Sequence, residues 1–172
     1  GICQNNLMTA KKTKKLNVYT FLATLCGIGF IPFMPGTFGS LAGYGIYLLL
    51  PDSPFQGKTL FYTIPIWLVF CLLSVFLSSK AEKTLGKDNG SIVIDEVCGY
   101  YVSVLFLPHN WLIGIYAFAL FRVFDIAKPF PVKKIQELPR GWGIVADDII
   151  AGIYANILIQ ILNKIYPKFF GL

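Results

Sequence analysis

Residues 60–79 read LFYTIPIWLVFCLLSVFLSS, 20 consecutive positions without a charge. As a helix rising 1.5 Å per residue, this stretch spans about 30 Å, the thickness of a bilayer's hydrocarbon core. Pro65 falls within its first two turns, where a membrane helix tolerates a kink. The rest of the chain agrees with this reading. Of 172 residues, 55% are apolar and 14% charged, against roughly 45–50% and 25% in soluble domains, and the mean hydropathy is +0.63. Together with 15 Phe, 9 Tyr and 3 Trp, this composition excludes a disordered chain, a nucleic-acid-binding arm and a coiled coil. The sequence predicts an integral membrane protein.

Working outward, Ile149–Tyr166 (IIAGIYANILIQILNKIY) is a second candidate, with Asn156, Gln160 and Asn163 along one helical face. That polar face suggests packing against protein. Three shorter apolar runs, Thr37–Leu50, Ile92–Leu107 and Trp111–Phe124, reach only about 21–24 Å each, short for a full span. Val18–Gly27, behind the basic run Lys11, Lys12, Lys14 and Lys15, reads as an interfacial or re-entrant helix. The expected fold is all-α: an integral membrane bundle of about five short membrane helices plus the N-terminal interfacial or re-entrant helix. It forms a single domain over residues 8–172; Met8 reads as a natural start, and residues 1–7 are set aside. Cys3, Cys26, Cys71 and Cys98 form no C-x-x-C pair, and read as small buried hydrophobes.

The charges supply a topology. If the five runs alternate in direction, the four N-terminal lysines share one side with Lys80, Lys83, Lys87, Arg122, Lys128, Lys133, Lys134 and Arg140, which leaves only Lys58, Lys164 and Lys168 of the 15 basic residues opposite. The positive-inside rule makes the richer side cytoplasmic. The net charge of +6 therefore reflects orientation in a bilayer, and no nucleic-acid partner is expected. The acids were not used to draw this arrangement, yet Glu82, Asp88, Asp95, Glu96, Asp125, Glu137, Asp147 and Asp148 fall on the same side, with Asp52 alone across.

Four clusters carry chemistry. Pro35-Gly36-Thr37-Phe38-Gly39-Ser40 is a Gly-rich turn opening an apolar helix; amides of Gly36 and Gly39 with the Thr37 and Ser40 hydroxyls can cradle an anion, though small residues also serve helix packing. Asp95-Glu96 sits between apolar flanks, where acids are costly unless paired or bound to a cation, or unless one caps a helix. Arg122, Asp125 and Lys128 are spaced three apart and stack on one helical face, as a phosphate clamp or as an ion-pair ladder. Asp147-Asp148 is read at the start of the last helix; one Asp suffices as a cap, and the second is repelled by the first unless a cation lies between them.

Five carboxylates, Asp95, Glu96, Asp125, Asp147 and Asp148, thus gather without His or Cys companions, a hard-oxygen donor set that favours Mg²⁺. Arg122, Lys128 and the Gly36–Ser40 turn supply what a phosphate needs. The reading is a metal-dependent phosphate site at a membrane surface. One carboxylate off the metal would be base or nucleophile, and the residue pattern leaves open which. No Cys is followed six residues later by Arg and no D-x-D-x-T occurs, so two other phosphatase chemistries are absent. His109, the single histidine, falls on the opposite face.

PGTFGSLAG (35–43), IVIDEVCG (92–99), FRVFDIAKPFPV (121–132) and GIVADDIIAG (143–152) together, in this order, resemble the bacterial phosphatidylglycerophosphatase A family. The resemblance implies a Mg²⁺-dependent, multi-pass enzyme of the bacterial inner membrane that takes phosphatidylglycerophosphate to phosphatidylglycerol and phosphate, its site on the cytoplasmic face. The residue pattern makes Asp95, Glu96, Asp125, Lys128, Asp147 and Asp148 the catalytic candidates for that reaction. The oligomeric state stays open. A competing reading is a small ion or solute transporter with an intramembrane acidic cluster, although no inverted repeat is visible.

Overall fold

The structure, a computed structural model, describes residues 17–51, 55, 57–87, 89–166 and 168. Cys3, Met8, the lysines at 11, 12, 14 and 15, Asp52 and Asp88 lie outside the described residues.

All regular structure among the described residues is helical: α1 (Val18–Ala23), α2 (Pro35–Leu49), α3 (Leu60–Leu85), α4 (Ile94–Val104), α5 (Trp111–Ala127), α6 (Val132–Ile135) and α7 (Gly141–Ile165). α1 starts in a capping box: Thr20 N donates to Asn17 Oδ1 at 2.8 Å and Asn17 N donates to Thr20 Oγ1 at 2.9 Å, so two amides that open the helix are satisfied. It packs on α3 and leaves Val18, Tyr19 and Leu22 exposed. Two helical segments, Gly57–Leu85 and Gly141–Ile165, are long and apolar enough to cross a membrane. α3 turns Phe61, Ile66 and Val69 outward, so one of its faces is apolar and exposed.

α4 is the hub. The run expected as a crossing segment over 92–107 forms a helix of only 11 residues, about 16 Å long, and it is enclosed by α2, α3, α5 and α7. Asp95, Glu96, Cys98, Tyr100, Val102 and Val104 are all buried. A helix so short is placed by its neighbours rather than by lipid. The closest approach is to α7: a Cβ on Gly99 would stand 2.6 Å from the Asp148 carbonyl oxygen, and one on Gly152 would overlap the Gly99 carbonyl. The two backbones touch because neither position carries a side chain, as small residues allow between membrane helices. Tyr47, Tyr100, Ile113, Phe121, Ala155 and Ile159 fill the space among α2, α4, α5 and α7.

The last helix begins at Gly141, eight residues before the expected Ile149. Gly141 and Gly143 both serve close packing. Gly141 N donates to Ser79 Oγ at 3.0 Å, and a Cβ there would collide with the Val75 carbonyl oxygen; one on Gly143 would lie 2.5 Å from the Gln136 carbonyl. Asp147 and Asp148 are consequently interior to α7 and cap nothing. The expected polar face of α7 does meet protein: Asn156 Nδ2 donates to the carbonyls of Leu105 (2.7 Å) and Ser103 (3.2 Å), and Gln160 Nε2 donates to Asn156 Oδ1 at 2.5 Å. These bonds close the end of α4. Cys71 and Cys98 are buried and unbridged, and Cys26 is exposed.

Candidate active site

Four segments far apart in sequence meet at one end of the bundle: the start of α2, the first turn of α4, the end of α5 and the second turn of α7. They enclose a cavity of about 350 Å³ whose wall includes Gly36, Asp95, Glu96, Arg122, Asp125, Lys128 and Asp148. Asp95 and Glu96 occupy the first turn of α4, with Val93 as the N-cap residue. Neither carboxylate is itself the cap, and the helix's positive end lies beneath both.

Arg122 ties the cluster together. Its guanidinium NH1 lies 2.7 and 2.6 Å from Glu96 Oε1 and Oε2, 3.0 Å from Asp125 Oδ2 and 3.3 Å from Ser40 Oγ. Ser40 Oγ in turn donates to Glu96 Oε2 at 2.8 Å. Gly36 leaves this group room, since a Cβ there would overlap Glu96 Oε1 and stand 3.1 Å from Arg122 NH2. Arg122 lines the cavity, and its Nε is buried without a partner, a costly arrangement for a donor. The pair three apart on α5, Arg122 and Asp125, is therefore a real contact, whereas Lys128 does not continue the ladder: its Nζ donates to Asp147 Oδ2 at 2.6 Å.

Lys128 is the C-cap of α5, in the left-handed region at φ 43° and ψ 61°. Pro129 after it disfavours a continued helix, and the reversal brings the ammonium across to α7. Burial alone would lower the Lys128 pKa, but the Asp147 hydrogen bond and charge, with Asp125 and Asp148 nearby, hold it above the ordinary lysine value. Met34, before Pro35, is also left-handed at φ 48° and lines the same cavity. Two non-glycine residues in this sparsely populated region border one site.

The carboxylates divide into groups. Glu96, Asp125 and Asp148 each offer an oxygen within 4.8 Å of the others, a spacing that can surround one cation. Asp148 Oδ2 and Asp95 Oδ1 are buried and have no hydrogen-bond partner, and the Asp95 and Asp148 carboxyl groups lie within hydrogen-bonding reach of each other. Unpaired buried carboxylate oxygens are expensive in a site meant to stay empty. Asp147 stands apart from this trio: Oδ1 accepts from the Asp148 amide at 3.1 Å and Oδ2 holds Lys128.

Of the Gly-rich turn, Gly36 lines the cavity. Gly39 is pressed against Val93, where a Cβ would stand 2.8 Å from the valine Cβ, and Ser40 is fully buried against Glu96. Thr37 Oγ1 is buried without a partner and is not part of the cavity wall. Sequence reasoning missed the apolar border, Met34, Ile126 and Ile144; the prolines and charges beside them drew attention to the polar positions only. Met34 and Ile126 are nevertheless 47% and 63% exposed, so the cavity opens beside apolar surface. His109 sits at the far end of the bundle, with Nε2 2.8 Å from the Tyr47 carbonyl and its ring 5.4 Å from that of Phe55.

Comparison with known proteins places this arrangement. Residues 21–163 match the family model described as Phosphatidylglycerophosphatase A. A Haemophilus influenzae protein named phosphatidylglycerophosphatase A is 41% identical over 155 residues, covering 87% of this chain and 91% of the relative. The Escherichia coli protein of that name is 33% identical over 159 residues, covering 91% and 90%. A Bacteroides thetaiotaomicron protein named, provisionally, phosphatidylinositol-3-phosphatase is 36% identical over 148 residues, covering 81% and 90%. No solved structure matches.

Proposed function

The chain belongs to the phosphatidylglycerophosphatase A family, and from that premise we propose that the cavity at the end of the bundle hydrolyses the terminal phosphomonoester of phosphatidylglycerophosphate, in the membrane, with the help of Mg²⁺. The observation that carries this reading is the clustering of Glu96, Asp125 and Asp148 within 4.8 Å beside two cations, Arg122 and Lys128, in one cavity. An all-oxygen donor set of acids suits Mg²⁺. Glu96, Asp125 and Asp148 would hold the ion, which supplies Lewis-acid polarisation of phosphate oxygens and a more acidic water.

The protein's own groups do the rest. Arg122, with its Nε free inside the site, binds and orients the phosphate, and Lys128, steered by Asp147, neutralises charge that builds on the phosphate and the departing oxygen. Asp95, outside the trio with one buried oxygen unengaged, would take a proton from the attacking water. Gly36 leaves space for the phosphate beside Arg122. The exposed apolar border at Met34 and Ile126 suits a substrate whose acyl chains stay in the lipid. By the charge distribution of the sequence this end faces the cytoplasm, in the bacterial inner membrane. A transport role is less well supported, because the acids collect at one end of the bundle with a phosphate-binding pair of cations.

The test is phosphate release by the purified full chain in detergent with phosphatidylglycerophosphate, with Mg²⁺ or with a chelator, and with phosphatidylinositol-3-phosphate as the competing headgroup. Turnover of phosphatidylglycerophosphate that the chelator removes and Mg²⁺ restores supports the reading. Chelator-insensitive turnover would reject the metal, and preference for the inositol lipid would reject the substrate.

A further inference from the structure

We propose that the seam between α3 and α7 is a second lipid site, which holds an anionic phospholipid of the surrounding bilayer and is separate from the catalytic cavity. Two cavities lie on this seam, of about 390 and 300 Å³, and they share Leu72, Val75 and Trp142. They form one groove with unlike ends. At one end stand Lys80, Lys83 and Arg140; the other is wholly apolar and runs past Trp67, Leu68 and Ile149. None of these residues lines the catalytic cavity.

The placement follows from helix periodicity. Leu68, Leu72, Val75, Ser79 and Lys83 fall on one face of α3, and Trp142, Val145 and Ile149 on one face of α7. From Leu68 to Lys83 the groove extends about 22 Å along the axis of α3, a length suited to an acyl chain below its headgroup. The Ser79 to Gly141 hydrogen bond of 3.0 Å pins the start of α7 against α3, so Arg140 joins the two lysines and the positive end of the α7 dipole points the same way. The ammonium of Lys80 lies 5.4 Å from the Phe76 ring and 6.0 Å from the Tyr19 ring. Among the described residues no carboxylate pairs with Lys80, Lys83 or Arg140. A general bias of basic residues toward one leaflet does not require three of them to converge on a groove with an apolar floor. Charge selects an anion, the floor selects one with acyl chains, and Trp142 sits where aromatic side chains favour the interface.

The inference rests on α3 and α7 lying in a membrane and is independent of which headgroup the enzyme hydrolyses. Its test is lipid retention by the full chain reconstituted in phosphatidylcholine vesicles with or without phosphatidylglycerol, read by native mass spectrometry after detergent extraction. Wild type should retain phosphatidylglycerol over phosphatidylcholine, inorganic phosphate should not displace it, and Lys80→Gln/Lys83→Gln/Arg140→Gln should weaken retention on the order of 10²-fold. Turnover of detergent-dispersed substrate should stay near wild type, which shows that the triple variant is folded and that the catalytic cavity is a different place. Should that variant not fold, a phosphatidylglycerol carrying a photoreactive acyl chain tests the unmodified protein, with cross-links expected at Leu72, Val145 or Ile149. Equal retention of both lipids, displacement by phosphate alone, or cross-links confined to other helices would overturn the proposal.

Discussion

Lys128 and Asp147 illustrate how one contact can be read two ways. As a partly exposed ion pair, 2.6 Å across, it contributes at most about 1 kcal/mol to stability. As a clamp on a phosphate in the transition state, Lys128 is worth on the order of 10²-fold or more in kcat. Lys128→Ala should therefore lose at least that much turnover at saturating substrate while the melting temperature shifts little; wild-type-like kcat would leave it a stabilising partner only. Because the folded-state pKa of Lys128 is raised, the pair's contribution to stability is complete below the unfolded lysine value of about 10.4 and is lost as pH rises through the higher folded value. The small gap in melting temperature between wild type and Lys128→Ala should be constant through neutral pH and close only in strong alkali. Asp148→Asn should behave differently, cutting turnover on the order of 10²-fold and raising the Mg²⁺ concentration at which the residual activity is half-maximal, since Asp148 belongs to the trio with Glu96 and Asp125. Undiminished activity in Asp148→Asn, with an unchanged Mg²⁺ titration, would remove it from the metal.

At the scale of elements, the contact between α4 and α7 decides whether the acids meet. Asp95 and Asp148 face each other because the α4 and α7 backbones touch at Gly99 and Gly152. Gly99→Val should separate the helices, costing about 1–3 kcal/mol as overpacking does, and should depress activity with all five acids still present. A melting temperature and kcat both near wild type would mean that the contact is slack. Gly36→Ala asks a local version of the question: its Cβ would meet the carboxylate end of the Glu96 side chain rather than a backbone, so the fold should survive while the displaced carboxylate lowers turnover by an order of magnitude or more.

For the molecule as a whole, the acidic cavity and the His109 corner lie at opposite ends of the bundle, and α3 and α7 are long enough to join them across a bilayer. Single cysteines introduced at Lys87 or Lys134 should react with an impermeant thiol reagent from the cytoplasmic side alone, and one at His109 from outside alone, in a chain whose native cysteines are replaced. Labelling of Lys87 and His109 from the same side would make the bundle re-entrant and would overturn the charge-based topology.

Composition and the uncharged run 60–79 were enough by themselves to give a helical chain with segments long and apolar enough to cross a membrane, because a run without charge or backbone breaks is what lipid requires of a helix. The four polar motifs were equally legible, since acids and glycines interrupting apolar sequence demand an explanation that local structure does not supply. What the linear pattern could not decide was the partner of each group. Lys128 lies three residues from Asp125 yet bonds Asp147, nineteen positions away, and Ser40 reads as an anion-binding hydroxyl yet donates to Glu96. The apolar run pointed to a last helix starting near Asp147, and only the packing of Gly141 and Gly143 against Val75, Ser79 and Gln136 shows why it starts earlier. Which carboxylates cluster and which pair with cations is set by how closely α4 approaches α7, a distance fixed by the absence of side chains on two different helices, and therefore decided only when the helices pack.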